Sequence, residues 1–182
     1  RSWLQRSYAQ LRGVTRTIMK RLLANCATSS TGIHDDATPS DPPLRKCQQD
    51  CLEACAKGAR KIEMACGTGK TRVMKELVGN VSGKVLIAVP LRALLDQFAQ
   101  DFPGFCKVGT RHNKKIDLDA RGFIAVTKSV YLLQNLQFHT ILVDEAHHPL
   151  PLKLPKRKQL FQFSATLEEE KGIDFRYTMG EA

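Results

Sequence analysis

The stretch Met64-Ala65-Cys66-Gly67-Thr68-Gly69-Lys70-Thr71 decides how the rest of this 182-residue chain is interpreted. A run that can form a strand precedes it at residues 61–64, and an amphipathic run that can form a helix follows at residues 71–77. Gly67 and Gly69 lack a Cβ, so the backbone can turn tightly and aim successive N–H groups at an anion at the helix N-terminus. Lys70 adds a charge that reaches β- and γ-phosphates, and the Thr71 hydroxyl can ligate Mg²⁺. The stretch therefore predicts a nucleoside-triphosphate pocket.

The loop departs from the general pattern G-x-x-x-x-G-K-[ST], because Met64 stands where that pattern has glycine. A second signal lies downstream, where the apolar, β-branched run at residues 138–143 ends in Asp144-Glu145-Ala146-His147. A carboxylate pair at the end of a central strand is where Mg²⁺ and an attacking water must be held if phosphates sit on the neighbouring loop. A surface acidic turn is ordinary for one carboxylate, but it explains this pair downstream of the loop poorly.

Strand and helix patterns alternate around these two motifs. Further strands are predicted at residues 85–89, 105–108, 122–127 and 160–163, and further helices at 44–59, 91–101 and 128–136. This alternation predicts an α/β fold with a parallel sheet and helices on both faces, which is a three-layer sandwich. Ligands of such folds lie at the carboxyl ends of the strands. Several polar or loop-forming positions directly follow a strand, and we expect them at this one edge: the phosphate loop, Pro90, Thr127, Asp144 and Ser164.

Residues 1–26 predict a basic amphipathic helix. Apolar residues between positions 3 and 22 recur at helical spacing, and residues 1–34 contribute +6 of the net charge of +10 without one acid. Three interpretations stay open: packing on a domain outside this chain, which ranks first, a nucleic-acid-contacting arm, and an organelle-targeting segment. Residues 27–43, with their Ser, Thr, Gly and Pro, predict a flexible linker. The compact domain should therefore span residues 44–182.

Three of the six cysteines, Cys47, Cys51 and Cys55, recur every fourth residue of the predicted helix 44–59. This spacing matches no common zinc pattern, and thiols one turn apart on a single helix cannot enclose a metal alone. We therefore expect buried core residues in a reducing intracellular compartment, with nucleus, cytoplasm and a DNA-containing organelle all open. Cys66 lies inside the phosphate loop, and we hypothesise that its oxidation or alkylation blocks nucleotide binding. Since no apolar run approaches membrane-spanning length, we expect a soluble chain without a membrane partner.

Five motifs in a fixed order carry a family resemblance. After the phosphate loop come Val89-Pro90-Leu91-Arg92-Ala93-Leu94-Leu95-Asp96-Gln97, Val126-Thr127-Lys128-Ser129-Val130, Asp144-Glu145-Ala146-His147 and Phe163-Ser164-Ala165-Thr166. They resemble motifs I, Ia, Ic, II and III of superfamily 2 DEAH-type helicases, in the first of two RecA-like lobes, over residues 44–182. The loop without an initial glycine is most similar to the branch containing type I and type III restriction enzyme motor subunits and the excision-repair helicase UvrB. The resemblance implies a RecA-like P-loop NTPase fold and accounts for Met64.

The resemblance also implies the residues of ATP hydrolysis. Lys70 would hold phosphate, and Asp144 would bind Mg²⁺ together with Thr71. Glu145 would position and polarise the attacking water, so that Lys70, Asp144 and Glu145 are the implied catalytic residues. Gln48 lies in a segment similar to L-R-x-[aromatic]-Q and would read the adenine edge, although Cys47 replaces the aromatic residue. The implied ATP contacts are Gln48, Gly67, Thr68, Gly69, Lys70 and Thr71.

Two further groups follow from the same resemblance. His147, Ser164 and Thr166 would couple the nucleotide state to movement of the lobes. Arg92 and Thr127 match positions that grip a nucleic-acid backbone, which requires no reading of bases. For Arg92, a solvated helix charge is the alternative interpretation.

The last residues, 174–182, resemble the crossover toward a second lobe, and motifs IV to VI are absent. We therefore expect an excerpt of a longer protein whose partner is a second RecA-like lobe outside this chain. That lobe supplies arginines worth roughly three to five powers of ten in rate, so the chain should bind Mg·ATP but turn it over poorly. The predicted function is an ATPase that translocates on or remodels DNA. The alternatives are an RNA helicase or a non-motor P-loop protein, either an ATP-gated nucleic-acid-binding module or a phosphotransferase.

Overall fold

The computed structural model describes residues 41–109, 116–150, 153–166 and 172–178. The predicted N-terminal helix and residues 27–40 of the predicted linker lie outside the described residues. No helix in the described part of the chain is long and apolar enough to cross a membrane. The strands are β1 Lys61–Met64, β2 Val85–Val89, β3 Cys106–Val108, β4 Gly122–Val126, β5 Gln137–Val143, β6 Lys156–Ser164 and β7 Phe175–Tyr177. The helices are α1 Lys46–Lys57, α2 Lys70–Gly79, α3 Ala93–Asp101 and a 3₁₀-helix, Thr127–Leu133.

All seven strands pair in parallel in one sheet, in the order β3-β4-β2-β5-β6-β1-β7. Strands β1 and β2 have the predicted bounds, and β5 begins one residue before the predicted start. This confirms the α/β fold and the parallel sheet. Because parallel strands share one direction, every segment that follows a strand emerges at the same carboxyl edge.

The sheet buries both of its faces, as the alternation of side chains along β2 shows. Val85, Ile87 and Val89 belong to one core, with residues of α1, α2 and α3, and we call this side the first face. Leu86 and Ala88 belong to the other core, with Val130 and Leu133 of the 3₁₀-helix, and this side is the second face. Helical segments therefore cover both faces, but the second carries a 3₁₀-helix among the described residues.

The predicted helix at 128–136 is thus wrong in type and length. A 3₁₀-helix has three residues per turn, so positions three apart share one side. Val130 and Leu133 are such a pair, and both are buried against the sheet. The seven residues from Thr127 to Leu133 cross the second face in this tighter form before β5 begins.

Strand β7 was not predicted, because residues 174–182 were interpreted as the crossover toward a second lobe. Residues 175–177 instead pair with β1, in the register Ile62 with Phe175. The Asp174 carboxylate accepts hydrogen bonds from the N–H groups of Arg60 and Lys61, at 2.8 and 2.9 Å, which lowers its pKa. Strand β1, which leads into the phosphate loop, is therefore supported on both sides.

The cysteines Cys47, Cys51 and Cys55 are free thiols buried in the core of the first face, which confirms their prediction as core residues. A hydrogen bond with Cys55, and then burial, raise the pKa of the Cys51 thiol. Cys51 therefore stays protonated and unreactive at neutral pH. Cys66, by contrast, is exposed in the phosphate loop.

Candidate active site

Three neighbouring strands bring the principal predicted residues together at the carboxyl edge. In the sheet order, β5, β6 and β1 are adjacent. The phosphate loop follows β1, Asp144 follows β5, and Ser164 is the last residue of β6. Motifs I, II and III therefore meet, although 75 residues separate Lys70 from Glu145.

The phosphate loop adopts the geometry for which its glycines are suited. Gly67 and Gly69 have φ angles of +80° and +81°, in the left-handed region that side chains disfavour. The Thr68 hydroxyl and N–H both donate to the Ala65 carbonyl, at 2.7 and 3.3 Å, which closes the turn. Helix α2 then begins at Lys70 with Gly69 as its N-cap and without a side-chain cap. The first amides of α2 are thus left for an anion.

Lys70 is held by a carboxylate of motif II. Its Nζ lies 3.0 Å from Glu145 Oε1, and the two side chains are 13% and 26% exposed. Glu145 has a φ of +50°, which is uncommon for a residue with a Cβ. The pair therefore links the phosphate loop to the end of β5.

Asp144 is buried beside this pair, with 8% of the residue exposed. Burial, and then the charge of Glu145, raise the pKa of its carboxyl group, while the charge of Lys70 lowers it. Among the described residues, no cluster of three or more His, Cys, Asp or Glu side chains could hold a metal by itself. Mg²⁺ is held by one or two protein oxygens together with phosphates and water, and Asp144 and the Thr71 hydroxyl of α2 offer such oxygens. The residues present therefore fit Mg²⁺ bound with a nucleotide.

A chain of polar contacts continues from Glu145 to motif III. His147 Nδ1 lies 3.2 Å from Glu145 Oε2 and 2.8 Å from Ser164 Oγ. The Ser164 hydroxyl donates to the Thr166 carbonyl at 2.7 Å and accepts from the Thr166 N–H at 3.2 Å. Since its single proton is used there, Ser164 must accept from His147, which places a proton on Nδ1. The predicted coupling residues His147, Ser164 and Thr166 thus form one network with Glu145.

Gln48 lies at the phosphate loop but uses its amide on the protein itself. Its Nε2 donates to the Thr68 carbonyl at 3.0 Å, and its Oε1 accepts from the Arg45 N–H at 3.0 Å. Arg45 adds a contact that was not predicted, since its Nη1 donates to the Gly67 carbonyl at 3.0 Å. Its position three residues before Gln48 was the only signal in the sequence. Reading of adenine by Gln48 stays a prediction.

The two predicted nucleic-acid contacts lie apart from the residues of the nucleotide site. Arg92 precedes α3 and is exposed, and its side chain has no hydrogen-bond or ion-pair partner within the described ranges. The Thr127 hydroxyl donates to the Val89 carbonyl at 3.0 Å, which joins the ends of β4 and β2. Because these strands are adjacent, Arg92 and Thr127 share the carboxyl edge on the other side of β5.

Comparisons with known proteins agree with this geometry. The family model described as "Type III restriction enzyme, res subunit" matches residues 41–169. Among 62 matching chains of solved structures is the UvsW helicase from bacteriophage T4, with a TM-score of 0.57 and 20% identity. The alignment covers 74% of this chain and 57% of that chain, so this chain spans little more than half of that helicase. At this identity the likeness shows the fold alone. No curated protein matches the sequence.

Proposed function

The chain belongs to the type III restriction enzyme res subunit family and is a helicase-type ATPase domain with a RecA-like fold, and from this premise we propose its activity. It is the ATP-binding lobe of a nucleic-acid-dependent ATPase that couples hydrolysis to translocation on, or remodelling of, DNA. The observation that carries the proposal is the continuous network from Lys70 through Glu145 and His147 to Ser164. This network joins the ends of three strands.

The network suits a site whose state must be communicated. Lys70 and Glu145 neutralise each other in the described structure, at 3.0 Å. A triphosphate at the loop competes for Lys70, because phosphate oxygens carry more charge than one carboxylate. Glu145 is then released to polarise a water, and His147, which shares its carboxylate, is released with it. Ser164, which contacts His147, and Thr166, which contacts Ser164, then change position, so that nucleotide binding at the loop alters the end of β6.

The remaining roles concern the nucleotide and the nucleic acid. Thr71 and Asp144 would hold Mg²⁺, which would neutralise the charge that develops on the phosphates during hydrolysis. Gln48 contacts the adenine edge once nucleotide binding rearranges its bond to Thr68. Arg92 and Thr127 contact the nucleic-acid backbone at the neighbouring part of the edge, without reading sequence. We propose DNA rather than RNA as the ligand because the chain belongs to the type III restriction enzyme res subunit family.

Calorimetric titration of the chain with Mg·ATP and Mg·GTP tests the nucleotide part. We expect ATP to bind, Lys70→Ala to abolish binding, and Gln48→Ala to relax the preference for ATP over GTP. A suitable control is Lys75→Ala, which removes a lysine of α2 that pairs with Asp101 at 3.2 Å, away from the phosphate loop. Equal binding of ATP by wild type and Lys70→Ala would contradict the proposed pocket.

Hydrolysis assays of the complete protein test the motor part, with single-stranded DNA, duplex DNA and RNA as separate additions. We expect DNA to stimulate ATP hydrolysis. We expect Glu145→Gln to abolish hydrolysis while ATP still binds. Turnover of the isolated chain should be very slow. Stimulation by RNA alone would favour the RNA helicase. Hydrolysis that no nucleic acid stimulates would favour a non-motor P-loop protein.

A further inference from the structure

Two long segments that contribute to the second face of the sheet contain no acid. Neither residues 120–143 nor residues 146–167 contain one Asp or Glu, so Asp144 and Glu145 are the sole carboxylates between positions 120 and 167. The same segments contain six cations, Arg121, Lys128, Lys153, Lys156, Arg157 and Lys158. Since both carboxylates belong to the nucleotide site, this part of the molecule has a local excess of positive charge.

The 3₁₀-helix arranges two exposed side chains of this region in one row. Residues three apart eclipse each other in a 3₁₀-helix, so Lys128, Tyr131 and Gln134 follow one another along one side. The opposite row is buried through Val130 and Leu133, as the fold requires. Tyr131 is 65% exposed, although a large aromatic side chain gains from burial. Lys128, one turn before it, is also exposed.

The row continues into further lysines. The Gln134 side-chain amide donates to the Lys153 carbonyl, which places the segment before β6 beside the end of the 3₁₀-helix. Lys156 begins β6 and pairs with Gln137 at the start of β5. Arg157 pairs with Phe138 of the second-face core, so its exposed side chain lies on the second face, whereas that of Lys156, one position earlier, lies on the opposite face. We call the set the Tyr131 surface, and its members are Lys128, Tyr131, Lys153 and Arg157.

The cations of the Tyr131 surface are not used within the described structure. None of its lysines donates a side-chain hydrogen bond or forms an ion pair there, and Arg157 donates only to the nearby Pro155 carbonyl, at 3.3 Å. Lysines at an open strand edge protect against edge-to-edge pairing, and β6 is open on its other side, since β1 pairs with it only from Gln162. Edge protection does not explain Tyr131, which lies on a helix.

We propose that the Tyr131 surface binds single-stranded nucleic acid outside the five helicase motifs. The exposed ring offers a platform on which one unpaired base stacks, and the lysines on either side neutralise the flanking phosphates. A duplex would not fit this arrangement equally, because its bases are already stacked on each other. The inference deepens the proposed function by naming the strand state of the ligand and a second contact region, and it therefore rests on that function.

Fluorescence anisotropy of the 182-residue chain with labelled oligo(dT), oligo(rU) and a blunt DNA duplex tests the proposal. We expect tighter binding of the single strands than of the duplex. Tyr131→Ala should weaken single-strand binding by about 5- to 150-fold, which is the effect of losing one stacked base. Tyr131→Phe should restore affinity to within about twofold of wild type, because the ring is retained. The dT and rU arms separate DNA from RNA.

The role of the lysines is tested by removing their charges and by measuring how binding depends on salt concentration. Lys128→Gln/Lys153→Gln should weaken binding and reduce the slope of log affinity against log salt by about 1.4, the value for two phosphate contacts on a single strand. The matched control is Lys46→Gln/Lys57→Gln, which removes the same charge from exposed lysines of α1. Leu118→Ala is the control for Tyr131, because Leu118 is another exposed apolar side chain, at 53%.

Two results would overturn the inference. One is single-strand affinity that Tyr131→Ala leaves unchanged, with or without an effect of the lysine pair, since the surface would then not stack a base. The other is a wild-type chain that binds no single strand. In both cases, binding of Mg·ATP that depends on Lys70 and stimulation of the complete protein by duplex DNA would leave the proposed function standing.

Discussion

Both faces of the sheet bury an apolar core, of which the first-face core is the larger, but they present different surfaces to solvent. On the first face, the helix cations are paired, at 2.8 to 3.2 Å: Lys46 with Asp50, Lys57 with Glu53, Arg72 with Glu76 and Lys75 with Asp101. On the second face, the lysines of the Tyr131 surface form no ion pair within the described residues. Charge pairing therefore distinguishes the two faces. A face whose charges are already balanced has little to offer a charged ligand.

The largest expected effects test whether both faces are true cores. Leu52→Ala on the first face should lower the free energy of unfolding by about 2–5 kcal/mol, and Phe123→Ala on the second by about 3–5 kcal/mol. Leu52 is 2% exposed, and the fully buried Phe123 ring meets Phe138 edge-on at 5.8 Å. Urea denaturation measures both. A loss below about 1 kcal/mol for Phe123→Ala would show that the second face is loosely packed, and would contradict its description as a hydrophobic core.

An intermediate effect is expected at Asp144, on the edge where the two faces meet. Its pKa is raised from 3.8 by burial and by Glu145, so the ionised form is disfavoured in the folded state. Asp144→Asn should therefore raise the stability of the nucleotide-free chain by about 1 kcal/mol, or Tm by about 2–4 °C. It should also weaken Mg-dependent nucleotide binding.

The stability gained by Asp144→Asn should depend on pH. Because the folded pKa lies above the unfolded one, the penalty at Asp144 is complete above the folded pKa and disappears as the pH falls below 3.8. The advantage of Asp144→Asn should thus be largest near pH 7 and shrink toward pH 4. Thermal melts of both proteins across this range measure it. An advantage that grows on acidification would contradict the raised pKa.

The smallest effects compare single lysines on the two faces. Lys57→Gln removes an exposed i,i+4 pair with Glu53 and should cost about 0.3–0.5 kcal/mol at low salt. Lys128→Gln removes an exposed charge without a described partner on the second face and should cost nothing, or stabilise slightly by reducing repulsion. Urea denaturation at 20 mM and 500 mM NaCl separates these cases. Equal costs for both substitutions would erase the difference in charge pairing between the faces.

The sequence predicted the central strands well because their burial leaves one interpretation. All five residues of β2 are buried and apolar, so its bounds were predicted correctly. Strand β7 was missed because Phe175-Arg176-Tyr177 is short and only partly buried, as befits an edge. The start of β6 was missed because Lys156, Arg157 and Lys158 have no apolar pattern; pairing with β5 makes them a strand.

The members of the candidate site were identifiable, but their contacts were not. Motif spacing and the family resemblance pointed to Lys70, Glu145 and His147, and the parallel sheet explains why they lie at one edge. That Lys70 meets Glu145 depends on the backbone angle of a single residue, with φ at +50°, which no pattern encodes. Likewise, the bond from Gln48 to the Thr68 carbonyl requires α1 and the loop to be packed together first.

The bond between Gln48 and the phosphate loop also sets how this region opens. Gln48 Nε2 holds the Thr68 carbonyl while its Oε1 holds the Arg45 N–H, so one amide group closes both the loop and the first turn of α1. When the Gln48 side chain moves, the Thr68 carbonyl loses its donor and the Arg45 N–H loses its acceptor together. The Thr68 N–H donates to the Ala65 carbonyl in the same loop, so we expect the amide protons of Arg45 and Thr68 to exchange with deuterium at similar rates, as members of one cooperative unit. In this region, the beginning of a helix and a loop 20 residues away share a single opening event.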